Sequence, residues 1–151
     1  MTMDSSGSES AALDAAVLLS QASALLARTG GRALAGHGVT WPQALSLLVL
    51  AEQEAPISAT RLVEHLGLGR TAMTSVVDRL ERNGWVERRP SMIDRRTADL
   101  VLTDRGAQVV EAIRPVLREV STRYFAGFRP RELERLTADL TRLRASHSGR
   151  L

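Results

Sequence analysis

At 151 residues the chain has room for one domain, or for a compact module on long flanking helices, and is too short for separate cofactor and substrate domains. Its 44% apolar content can feed a core, five aromatics (Trp41, Trp85, Tyr124, Phe125, Phe128) are too few for base-stacking platforms on single-stranded nucleic acid, and the lack of cysteine excludes disulfides and thiolate sensing. All 20 basic residues are arginine and the net charge is only +3, yet residues 70–96 gather 7 Arg against 4 acids, which makes a local positive field.

Residues 1–10, MTMDSSGSES, are polar and Ser-rich, which predicts a disordered lead-in. From Ala11 the Ala and Leu content predicts a helix within 11–36, with Leu13, Val17 and Ser20 on one stripe and Leu18, Ala22, Leu25 and Leu26 on another. Gly30-Gly31 and the GHG at 36–38 are expected to weaken or end it. No basic leader precedes an apolar run, and Leu45 to Ala51 is too short to span a bilayer, so the expectation is a cytoplasmic protein with no membrane partner.

Thr40 is a good N-cap, with Trp41 and Pro42 in the first turn of an apolar helix running to about Ala51. Ser58 caps a short helix, ATRLVEHL, that Gly67 stops. Gly69-Arg70-Thr71 then opens a second helix with Met73, Val76, Val77 and Leu80 on its buried face. Two short helices joined through a glycine turn form a helix-turn-helix. Asn83-Gly84 suits positive φ and closes the second helix. Trp85 to Arg89 and Thr97 to Leu102 read as strands around a polar loop, making the unit a winged helix.

Thr103 or Asp104 starts a long helix to about Phe125, with Pro115 inside it, and a last helix over 130–146 lines up Leu133, Leu136, Leu140 and Leu143. These apolar stripes exceed what a winged helix can cover by itself, which implies a second copy. The predicted architecture is therefore mainly α (α+β), a single domain over 1–151. Its winged helix-turn-helix core lies at 41–103, with dimerisation helices at 11–36 and 104–147.

Three scattered histidines (37, 65 and 147) offer no paired metal-ligand spacing, and no phosphate cradle or nucleophile elbow is present. The sequence thus nominates no catalytic residue, metal or cofactor. The outward positions of the second short helix are Arg70, Thr71, Thr74, Ser75, Asp78 and Arg79. Such small, hydrogen-bonding groups suit the donors, acceptors and thymine methyls of a DNA major groove, although a solvated helix surface takes the same residues. Asp78 with Arg82 is equally a plain helix-surface pair. Arg88, Arg89, Arg95 and Arg96 flank the hairpin loop and can reach a phosphate backbone or a narrow minor groove, with Asp94 orienting a neighbouring guanidinium.

The segment containing VVDRLERNGWVERR, DRR at 94–96 and LTDRG at 102–106 closely resembles the MarR family of bacterial winged helix-turn-helix regulators, and the likeness extends over nearly the whole chain after about residue 11. The resemblance implies a homodimer whose recognition helices enter successive major grooves of a pseudo-palindromic double-stranded operator while the wings reach minor grooves. Arg70, Thr71, Thr74 and Ser75 then fall among the recognition contacts, Asp94 and Arg96 at the wing-tip pair, and Arg95 beside them. It also implies repression relieved by a small aromatic or phenolic effector in a crevice between the dimerisation helices and the winged helix. His37, Trp41, Leu45 and Leu48 are the expected lining, unless Trp41 and Leu45 are ordinary core and His37 a loop residue. The sequence departs from the family pattern at Gly69 and Arg129, where side-chain caps are usual, at Asp99 on the returning strand and at Gly30-Gly31. The competing functional reading is a winged helix used as a protein-interaction scaffold without specific DNA binding, which strong salt dependence would separate from a DNA reader.

Overall fold

In a computed structural model the chain is described over residues 5–94 and 96–147. Helix α1 (Ser5–Leu34) leads through a 3-10 turn (Ala35–His37) to α2 (Trp41–Glu52). Strand β1 (Ile57–Ser58), α3 (Ala59–Leu66), α4 (Arg70–Arg82), β2 (Val86–Pro90) and β3 (Ala98–Leu102) follow, and then the long helices α5 (Asp104–Tyr124) and α6 (Pro130–His147). The architecture is the expected one, a small winged helix-turn-helix between long terminal helices.

Local chemistry sets most boundaries. The Thr40 hydroxyl accepts the Gln43 N–H while the Gln43 side chain accepts the Thr40 N–H, a complete capping box at the start of α2. Ser58 caps α3 by accepting the Arg61 N–H at 3.3 Å, and Gly67 ends that helix at φ 64°. At the end of α4 Asn83 stays right-handed (φ −77°) and Gly84 alone takes the positive φ, 69°, so the expected pair reduces to its glycine. Thr103 caps α5, accepting the Gly106 N–H at 3.0 Å and donating to the Gly84 carbonyl at 2.7 Å, which pins the helix to the end of α4.

Two expectations are corrected. The helical path begins at Ser5, inside the segment read as a disordered lead-in; residues 1–4 lie outside the described ones. Gly30-Gly31 does not interrupt α1, which runs unbroken to Leu34. The reason is packing: a Cβ on Gly30 would lie 2.1 Å from the Trp41 ring, so glycine lets the indole press against the helix backbone. By length and composition alone the stretch Gly7–His37 is long and apolar enough to cross a membrane, with a mean hydropathy of 1.5 over an 18-residue window.

The sheet is antiparallel with order β1-β3-β2, Ile57 facing Leu100 and Val86 facing Leu102. Sequence alternation missed β1 because two residues directly before a helix carry no period to read. Leu34, Leu47, Leu62, Met73, Leu80, Leu100 and Ile113 are fully buried in one continuous core that joins α1, α2 and α5 to the winged helix. The Tyr124 hydroxyl donates to the Ala22 carbonyl at 2.6 Å and ties the far end of α5 to α1. Beyond this core α1 and α6 remain open to solvent, with Leu13, Leu18 and Leu140 exposed.

Candidate nucleic-acid interface

Helix α4 is amphipathic and locked by one face. Met73, Val77 and Leu80 are buried and Val76 is half-buried, which leaves Arg70, Thr71, Thr74, Ser75 and Arg79 exposed together on the other side. Gly69 sits at the N-cap without a side-chain bond, so the first backbone N–H groups of α4 have no capping oxygen at the reading end. The Thr74 hydroxyl donates to the Arg70 carbonyl at 3.0 Å, which holds the side chain while leaving its methyl and lone pairs outward.

Ion pairing sorts the arginines into two groups. Arg88, on β2, reaches Asp78 (3.1 Å) and Glu81 (2.8 Å) on α4, and Arg89 pairs with Glu87. The sequence reads these two guanidiniums as reaching toward a phosphate backbone; they instead neutralise nearby carboxylates, and Arg88 clamps the wing strand to α4. Asp78 therefore bonds across to the strand, whereas Arg82 Nε donates only to the Asp78 carbonyl at 3.3 Å. By contrast, Arg70, Arg79 and Arg96 have no ion-pair partner among the described residues. The cross-element role of Arg88 was hidden from the sequence because its partners stand seven and ten residues away on another element.

The wing tip is built from short hydrogen bonds. Asp94 Oδ1 accepts the Arg96 backbone N–H at 2.9 Å, and the Asp94 carbonyl accepts both the N–H and the hydroxyl of Thr97 at 3.0 Å. Asp94 thus orders the main chain of the turn, as an Asx turn does, rather than gripping the Arg96 guanidinium. Arg95 lies outside the described residues. Asp99 stands opposite Arg89 in the β2–β3 ladder, where opposite charges across strands are favourable.

The expected effector residues are spread along α2 and its approach. Trp41, Leu45 and Leu48 are half-buried at i, i+4 and i+7 on one helix face, whereas His37 is exposed in the 3-10 turn. Leu48 lines a cleft of about 410 Å³ with Glu52, Arg114, Leu117 and Arg118. A second cleft of about 540 Å³ lies between α1 and α5, lined by Arg32, Val116, Val120, Arg123 and Tyr124 among others, and sequence reasoning did not find it. Its residues come from helices almost a hundred positions apart. Among the described residues no three of His, Asp and Glu come together as a metal site.

An outward helix on a locked helix-turn-helix, flanked by an antiparallel hairpin, places the chain in the winged helix-turn-helix class of DNA-binding folds. Residues 39–98 match the MarR family model. The transcriptional repressor MprA of Escherichia coli (strain K12) is 36% identical over 83 residues, 54% of this chain and 47% of MprA, so the match spans about half the length of that relative. Among solved structures, the Mycobacterium tuberculosis MarR family protein Rv2887 in complex with salicylic acid is 28% identical at a TM-score of 0.65, covering 83% of this chain and 93% of that one. A mutant MarR from E. coli complexed with operator DNA shares the fold at a TM-score of 0.72 and 24% identity, covering 85% and 91%. Residues 39–98 thus carry the winged helix-turn-helix region of the MarR family, and the fold over most of the chain is that of MarR family structures.

Proposed function

We propose that this protein is a homodimeric repressor that reads a pseudo-palindromic duplex with α4 of each subunit in a major groove and each wing in the neighbouring minor groove. One observation carries the reading. The acids Asp78, Glu81 and Glu87 are occupied by Arg88 and Arg89, while among the described residues Arg70, Arg79 and Arg96 have no ion-pair partner and are exposed, as are Thr71, Thr74 and Ser75. Unpaired guanidiniums supply phosphate attraction, and the short hydroxyl side chains fit close to base edges. Arg95 belongs to the same wing by sequence, and the winged-helix scaffold without specific DNA binding is the alternative that salt-independent binding would favour.

The dimer reading rests on the apolar residues of α1 and α6 that the single chain leaves exposed; a second copy covers them, and the same burial accounts for the apolar character of α1 in a cytoplasmic protein. Operator release is assigned to a small aromatic or phenolic effector held along the Trp41, Leu45 and Leu48 face with His37 at its end. Arg118 in the Leu48 cleft has no ion pair among the described residues and suits a carboxylate. The complex of Rv2887 with salicylic acid supports that ligand chemistry. Selection of random duplexes on the purified chain tests the reading: enrichment of inverted half-sites about one helical turn apart is expected, and no enriched sequence would reject it.

A further inference from the structure

At the apex of the wing two large apolar side chains stand almost wholly in water, Met92 at 97% and Ile93 at 94% exposure, whereas the preceding Ser91 is buried. They are not the loose end of a frayed loop. Ser91 Oγ accepts the N–H groups of Ile93 (3.2 Å) and Asp94 (3.4 Å), and the Ser91 N–H donates to the Thr97 carbonyl at 3.1 Å. Together with the Asp94 bonds to Arg96 and Thr97, these contacts turn the polar groups inward and leave the thioether and the branched alkyl chain pointing out. Holding adjacent apolar groups in water stabilises nothing within the chain, so they point to a ligand surface.

We propose that Met92 and Ile93 form an apolar wedge that seats in the minor groove beside the α4 site and favours A·T pairs there. This inference rests on the DNA-binding reading above. Charge and placement choose the occupant. The exposed, unpaired Arg96 follows the wedge by three residues, and the β2 strand that carries it is clamped to α4 through Arg88, which lines one cleft with Arg70 and Thr74. The minor-groove floor of A·T pairs carries the adenine C2–H between the N3 and O2 acceptors, leaving room for alkyl groups against the sugar walls, whereas G·C adds an amino group that narrows this space and whose N–H a buried methyl cannot satisfy. Apolar wedges of this kind also unstack a base step and bend the duplex.

The test uses the full chain and a duplex enriched by the wild-type protein from a random pool. Met92→Ser combined with Ile93→Ser removes the wedge at positions that support no core packing. Affinity should fall about tenfold, the size of one lost base-pair preference. The salt slope should not change, because no phosphate contact is lost, while Arg96→Ala as a control lowers that slope by about one. Changing the flanking A·T pairs to G·C should weaken the wild type about tenfold and the double variant hardly at all. Changing them to inosine·C, which lacks the amino group, should be tolerated by both. Equal affinity of both proteins, or an undiminished G·C penalty in the double variant, overturns the wedge and leaves the DNA reading standing. If the wild type enriches no duplex, the DNA reading falls and the wedge falls with it.

Discussion

Gly30 and Gly31 are chain neighbours whose missing side chains have opposite consequences. A methyl on Gly30 meets the Trp41 ring at 2.1 Å, while nothing lies within 4 Å of the Cβ position of Gly31. Gly31→Ala should therefore stabilise the fold by up to about 1 kcal/mol, the helix-propensity difference, whereas Gly30→Ala should destabilise it by about 1–3 kcal/mol through overpacking. Urea unfolding of the two variants checks both signs, and equal shifts would show that the indole does not rest on the helix. Reading glycine as a helix breaker failed here because propensity is local and the contact that overrides it comes from eleven residues away.

In the proposed complex, helix α4 separates specification from attraction along its own length. Thr74 and Ser75 carry no charge and face outward, so Thr74→Leu or Ser75→Leu should redistribute sequence preference while leaving binding to unrelated duplex within about twofold. Competition against a random-sequence duplex measures the two separately; a proportional loss on every sequence would mean that these side chains position rather than read. Elements with strong local signals were legible: Thr40 and Ser58 as caps, Gly67 as a stop, and the Met73, Val77, Leu80 face. What was not legible depends on contacts between elements. Arg88 looked like a free wing cation until β2 placed it against Asp78 and Glu81, and Asp94 looked like a guanidinium partner until the turn brought the Arg96 N–H to its carboxylate.

At the scale of the molecule, one core joins the winged helix to α1, α2 and α5, while the outer faces of the terminal helices keep apolar surface in reserve. Leu13 is 66% exposed and Leu140 40% exposed, although both lie on helices with three- and four-residue apolar spacing. Leu140→Asp should shift the protein from a species of about twice 16.4 kDa toward monomer in sedimentation equilibrium at low micromolar concentration. A single chain of unchanged mass in both proteins would contradict the proposed pairing. In the proposed complex two copies of α4 read one duplex together. Hydroxyl-radical footprinting on the selected duplex, with stoichiometry measured in the same samples, tests it most directly. Two chains per duplex and two protected windows about one helical turn apart on one face of the DNA are expected. A single protected half-site with one bound chain would contradict it.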